Sequence, residues 1–216
     1  MKTKILLTTT ILITLFTACG TSKKTTNSAT YDEGVVINGV RWATRNVDEP
    51  GTFASTPESA GKLYQWGRKM AWNTTDERAG IGWSLSTGKH PLFSKKPPKK
   101  PKWKKTNDPS PTGWRIPTIK EINSLFDENK VSNEWVTQNG INGRKFTDIS
   151  NGNTIFLPAV GTRDIGGKLR RDVNITGNYW SSTPLNVFIY YYGCSKDRCH
   201  TTVCYNTFGF SLRCVK

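Results

Sequence analysis

Only two histidines, His90 and His200, occur among the 216 residues, and neither an HExxH nor a GxSxG string is present. The commonest zinc-hydrolase and nucleophile-elbow chemistries are therefore not supported by any motif. No pair of carboxylates is placed by spacing for general acid–base work, so no catalytic residue, cofactor or metal is assigned and the chain reads as a non-enzyme. Acids are scarce, 16 Asp and Glu against 31 Lys and Arg. Apolar runs of any length are missing beyond residues 5–16, and a mean hydropathy of −0.53 excludes further membrane-spanning helices.

That one run follows Lys2 and Lys4 and is interrupted only by threonines. Twelve residues at about 1.5 Å each make roughly 18 Å of helix, well short of a roughly 30 Å hydrocarbon core. A signal peptide over residues 1–18 is the better reading. The residues Phe16, Thr17, Ala18 and Cys19 resemble the lipobox of bacterial lipoproteins, although Phe16 stands where that pattern prefers Leu. The resemblance implies cleavage before Cys19 and acylation of its thiol, so that the partner is a lipid bilayer; an ordinary signal peptide with an incidental cysteine shares the same apolar run. Several acyl chains anchor firmly, since each buried methylene contributes about 0.8 kcal/mol. Residues 19–30, rich in Ser, Thr, Lys and Asn, read as a flexible tether, and residues 31–216 as one domain. The expected location is the cell envelope, at the outer membrane with its face unspecified.

Loss of Lys2 and Lys4 with the signal leaves 29 basic and 16 acidic side chains, a balance of +13. Residues 89–105 carry eight lysines and no acid, which leaves only +5 for everything else and makes specific nucleic-acid binding a weak reading. Pro91, Pro97, Pro98 and Pro101 deny this stretch helix or central strand. Lys95, Lys96, Lys99, Lys100, Lys102, Lys104 and Lys105, with the aromatic face of Trp103, form a candidate contact for anionic envelope polysaccharide or lipid phosphate. The bland alternative is a solvated insertion held open by its own charge.

Nineteen glycines and eleven prolines among short apolar runs predict many turns and short strands. Asn38-Gly39 suits a tight hairpin turn. Thr118 with Glu121 fits a capping box behind Pro117, and Ile119, Ile122, Leu125 and Phe126 share a helical face, predicting a helix to about Glu128. Asn139-Gly140 and Asn142-Gly143 read as successive turns of a meander. Residues 155–157, 187–192 and 208–215 read as strands, the last with Phe210 and Leu212 alternating with polar Ser211 and Arg213. The fold class that follows is α+β with one or two helices.

Six ordered strings carry a resemblance: GVRWATRNV at 39–47, YQWGR at 64–68, NDPSPTGWRIPT at 107–118, FLPAVGTRD at 156–164, GNYWSST at 177–183 and GFSLRCV at 209–215. Together they resemble the Fibrobacter succinogenes major paralogous domain, found in envelope lipoproteins of the Bacteroidota. The resemblance spans nearly the whole domain and implies a C-type-lectin-like fold, with short twisted antiparallel strands, paired chain ends and long loops on one binding face. It implies no settled activity. Calcium-dependent sugar lectins use Glu-Pro-Asn or Gln-Pro-Asp with Trp-Asn-Asp, and none of these occurs here. Trp42, Trp66, Trp114 and Trp180 are expected in the core, and Arg115, Arg163 and Asp164 are expected to fix loops.

With Cys19 acylated, Cys194, Cys199, Cys204 and Cys214 remain in an oxidising compartment, where two disulfides allow three connectivities. In the resembling family a cysteine often stands where Ser110 does, as a plausible partner of the one matching Cys214. Here Cys214 pairs within the C-terminal segment or stays a buried thiol. A metal site at Cys194, Cys199, His200 and Cys204 is disfavoured by spacing.

Residues 181–215 contain one member, Lys196, of the group Lys, Glu, Gln, Met and Trp, whereas residues 20–180 contain 34 in 161. Codons ending in cytosine cannot encode that group, so the bias resembles lectin-fold proteins diversified by retroelements, in which such a segment supplies the binding surface. Residues 185–208 are then a possible variable segment, with Tyr190, Tyr191, Tyr192, His200, Tyr205 and Asn206 as ligand contacts for an unknown protein or glycan. A tyrosine-rich edge strand with a disulfide loop is the alternative. The expected function is an envelope-anchored ligand-binding or adhesion lipoprotein, with a structural envelope or assembly subunit contacting anionic polymers as the second reading and an enzyme of unrecognised type as the third.

Overall fold

The computed structural model describes residues 28–85 and 102–216. Cys19, the signal segment and Lys95, Lys96, Lys99 and Lys100 lie outside the described residues.

The first strands among the described residues form a hairpin of β1 (Val35–Ile37) and β2 (Val40–Trp42), turned by Asn38 at φ 47° and Gly39 at φ 78°. Both residues occupy the left-handed region that a type I′ turn requires, as the Asn-Gly pair predicts. β3 (Leu63–Gln65) pairs with β4 (Ala71–Trp72) and, on its other edge, with β11 (Gly209–Phe210). β5 (Val131–Gln138), β6 (Ile141–Asp148) and β7 (Thr154–Pro158) form an antiparallel meander. β8 (Gly177–Leu185), β9 (Phe188–Cys194) and β10 (Cys199–Cys204) form a third three-stranded antiparallel sheet with β9 in the middle.

The architecture is mostly β, with 38% strand, 5% helix and four small antiparallel sheets. This corrects the expected α+β, C-type-lectin-like fold with one or two helices. Among the described residues one α-helix forms, α1 (Ile119–Ser124). Its start is the predicted capping box: Thr118 Oγ1 accepts from the Glu121 amide while the Glu121 carboxylate accepts from the Thr118 amide. Its end comes four residues before the predicted Glu128. Leu125 and Phe126 donate to carbonyls three residues back, tightening the last turn, and the Asp127 carbonyl then accepts from both Lys130 and Val131, turning the chain straight into β5.

Two further expectations need correcting. Asn139-Gly140 does turn β5 into β6, but Asn142-Gly143 lies inside β6. Gly143 is there for closeness, since a Cβ would sit 2.5 Å from the Leu157 carbonyl oxygen and 2.6 Å from the Phe156 ring. The C-terminal alternation does not separate a wet face from a dry one either. Ser211 and Arg213 are as buried as Phe210 and Leu212, and regular pairing stops at Phe210. Arg213 is tolerated inside because it donates to Asn46 Oδ1 at 3.0 Å, the Ala43 carbonyl at 3.2 Å and the Phe156 carbonyl at 3.0 Å.

Strand alternation in β8 and β9 divides the interior into two cores. Trp180 and Ile189 join Tyr64, Trp66, Trp114, Phe210 and Cys214 on one side. Tyr179, Tyr192 and Cys194 join Ile37, Trp42, Phe146, Leu157 and Val215 on the other. All four tryptophans expected in the core are buried. The chain ends meet as anticipated, but through isolated contacts rather than one sheet: Val215 bridges both Trp42 and Arg115, and the Ala43 amide donates to the Cys214 carbonyl at 2.9 Å.

Candidate functional site

The sheet β8–β9–β10 places Asn178, Gly193 and His200 side by side in one row, each flanking residue paired directly with the glycine. A Cβ on Gly193 would lie 3.0 Å from both Asn178 Oδ1 and His200 Cε1. The missing side chain therefore lets the amide and the imidazole close over the strand and make a polar floor. Asn178 Nδ2 donates to Thr162 Oγ1 at 2.7 Å, which fixes its amide. Two residues back along β9, on the same face, Tyr191 packs its ring 4.7 Å from Phe210 and 6.2 Å from His200, making an aromatic wall that Phe208 extends.

Above this floor is an open cavity of about 570 Å³. Its far side is the arm that follows β7, which supplies Thr162, Arg170, Arg171, Asp172 and Thr176; the β9–β10 loop supplies Ser195 and Arg198. Arg163 holds the arm in place. Buried, it donates to the carbonyls of Asn73, Asp76 and Gly167, while the Arg170 amide donates to the Thr162 carbonyl at 2.9 Å. Asp164 receives the amides of Gly166 and Lys168, so both residues fix the loop as expected. Arg115 likewise pairs with Glu121 at the start of α1. A disulfide between Cys194 and Cys199 closes the hairpin loop that carries Arg198; Cys204 and Cys214 remain thiols.

Burial, and then the nearby Arg198 charge, lower the pKa of His200, which keeps its imidazole neutral at neutral pH. The Tyr191 hydroxyl is pushed up, chiefly by burial. Burial also raises the Cys204 thiol, which stays protonated and contacts the Tyr205 carbonyl. Three exposed guanidiniums, those of Arg170, Arg171 and Arg198, face one lining carboxylate, Asp172. That carboxylate is engaged, accepting from the Thr162 amide and the Thr176 hydroxyl at 3.1 Å each. The arrangement offers hydrogen bonds, an aromatic surface and an excess of positive charge.

The residues predicted as ligand contacts are split by the fold. Tyr191 and His200 line the cavity. Tyr190 is half-buried on the opposite side of β9, and Tyr205 is exposed with its ring 5.0 Å from Phe188. Tyr192 and Asn206 require correction as surface contacts: Tyr192 is 1% exposed among Phe126, Phe146 and Tyr179, and Asn206 is 0% exposed. The alternation of β9 explains the first, because neighbouring tyrosines must face opposite sides. In the basic segment Lys102, Lys104 and Lys105 are exposed. Trp103 instead packs edge-on against Trp66 at 5.4 Å and donates Nε1 to the Asn107 carbonyl, so it anchors the segment.

Sequence reasoning missed Thr162, Arg170, Arg171, Asn178 and Arg198. The one available signal was Arg170-Arg171, the only adjacent arginine pair in the chain. No protein-family model, curated protein or solved structure matches this chain.

Proposed function

We propose that this chain is a ligand-binding or adhesion lipoprotein of the bacterial cell envelope, held to the membrane through acylated Cys19 and presenting the cavity over β8–β9–β10 as its binding site. The observation that carries the reading is the Asn178–Gly193–His200 row, where a strand residue without a side chain opens a polar floor beneath a cavity of about 570 Å³. Cavities of that size, combining aromatic walls with a few fixed polar groups, are the usual form of small-ligand sites. The six family-like strings and the lipobox-like N-terminus support the envelope assignment.

The test is to probe the detergent-solubilised full-length protein against immobilised glycans and envelope proteins, beside Gly193→Ala. A methyl group there pushes apart Asn178 and His200, both movable side-chain ends. The expected result is loss of the bound signal with an unchanged melting temperature. Equal signals from the two proteins sink the assignment of this cavity. Lys102, Lys104 and Lys105 support a second, charge-driven role in contacting anionic polymers, which Gly193→Ala leaves intact.

A further inference from the structure

We infer that the cavity over β8–β9–β10 recognises an acidic saccharide, with the carboxylate of a uronic-acid residue held by the guanidiniums of Arg170, Arg171 and Arg198 and its ring set against Tyr191. The inference rests on the proposal that this cavity is the binding site, and adds the chemistry of what enters it.

The arginines are the first observation. Among the described residues the chain pairs Arg45 with Asp32 and Arg115 with Glu121, and buries Arg163 and Arg213 against carbonyl groups. Arg170, Arg171 and Arg198 are in no ion pair of the described residues, are exposed, and converge on one cavity from two separate loops. Bringing like charges together costs free energy that an anion recovers. Guanidinium matches the planar, two-oxygen face of a carboxylate with paired hydrogen bonds.

The floor and wall decide which anion fits. A bare inorganic ion would use the arginines alone. A sugar ring also has hydroxyl groups, which suit the amide of Asn178 and the neutral imidazole of His200, and a C–H face, which suits the aromatic rings of Tyr191 and Phe208. The arginines stand at the exposed rim while the amide and the aromatic rings lie deeper, so a pyranose can rest on the floor with its carboxylate turned outward. Because the cavity is open, the neighbouring sugars of a polymer can continue past its edge.

Titration calorimetry of the full-length protein in detergent should use oligogalacturonate, oligomannuronate and a hyaluronan oligosaccharide, each beside its methyl-ester form. At least one acid should bind about ten-fold or more tightly than its ester, and less tightly as salt rises from about 50 to about 500 mM. Replacing Arg170, Arg171 and Arg198 together by Gln should abolish that preference without changing the melting temperature, and Lys at the three positions should restore part of it. Failure of all three acids to bind overturns the inference. So does an ester that binds as well as its acid, and in that case Gly193→Ala decides separately whether the cavity is the site. Persistence of acid binding in the Gln variant assigns the charge to another surface and also overturns it, as does displacement of the sugars by equimolar inorganic sulfate.

Discussion

The thiol of Cys214 lies 3.3 Å from the hydroxyl of Ser110, across a sequence separation of 104 residues. Burial pushes this thiol up to about 12, so it stays protonated and unreactive at neutral pH. Ser110→Cys therefore places a second sulfur beside the first with both backbones already near. We expect a disulfide to form during oxidative folding. A closed loop of that length constrains the unfolded chain by about 4 to 5 kcal/mol in the entropic account, less any strain. Thermal melting with and without reductant checks this; a thiol count one higher than that of the natural sequence, rather than one lower, would count against it.

Tyr192 and Tyr205 should behave in opposite ways. Tyr192→Ala removes a ring packed among three others and should cost about 3 to 5 kcal/mol through the cavity it leaves. Tyr205→Ala, beyond β10 and 43% exposed, should cost less than about 1 kcal/mol. Denaturant unfolding measures both, and equal losses would contradict the burial described above.

Trp180→Ala should be among the most damaging changes. The side chain is fully buried, its Nε1 donates to the Tyr64 carbonyl at 2.7 Å, and its ring lies 4.4 Å from Phe210. The loss combines a cavity of about 3 to 5 kcal/mol with a carbonyl left unpaired. Trp180→Phe should recover part of the packing but not the hydrogen bond, and so fall between.

His200 sets a direction for pH. Its pKa in the fold is lowered from 6.5, so the unfolded chain takes up a proton before the folded one does. The stabilisation is fully present above 6.5 and is lost as pH falls through the lower folded value. His200→Gln should flatten the stability profile in that window. A profile that instead steepens would show the imidazole to be favoured in its charged form.

For anchoring, the natural sequence is expected to enter the detergent phase of a phase-separation extraction, and Cys19→Ser to leave an unlipidated form that shifts toward the aqueous phase. Unchanged mass and partitioning in the serine variant would remove the lipid assignment.

What could be read in advance was local. Asn38-Gly39, Asn139-Gly140 and the Thr118–Glu121 cap each fix their geometry within four residues, and each formed as written. The buried tryptophans were legible because their area has few other destinations. Asn142-Gly143 misled because the same dipeptide serves a turn or a close strand approach, and only the distant Phe156 decides which. Helical content was overestimated because a capping box announces a start and says nothing about length. The cavity was hidden for a similar reason. Its residues come from the arm after β7, four strands, a hairpin loop and the β10–β11 link, and Gly193 matters through what it leaves open.

The position of Val215 bears on when the protein can fold. Leu212 and Cys214 complete one core and Val215 the other, while Val215 alone joins Trp42 to Arg115. A nascent chain that stops at Gly209 has neither interior closed and cannot satisfy the groups around Asn46 and Phe156 that Arg213 serves. Deleting residues 210–215 should therefore leave both interiors open at once and abolish cooperative unfolding, rather than merely fray one edge.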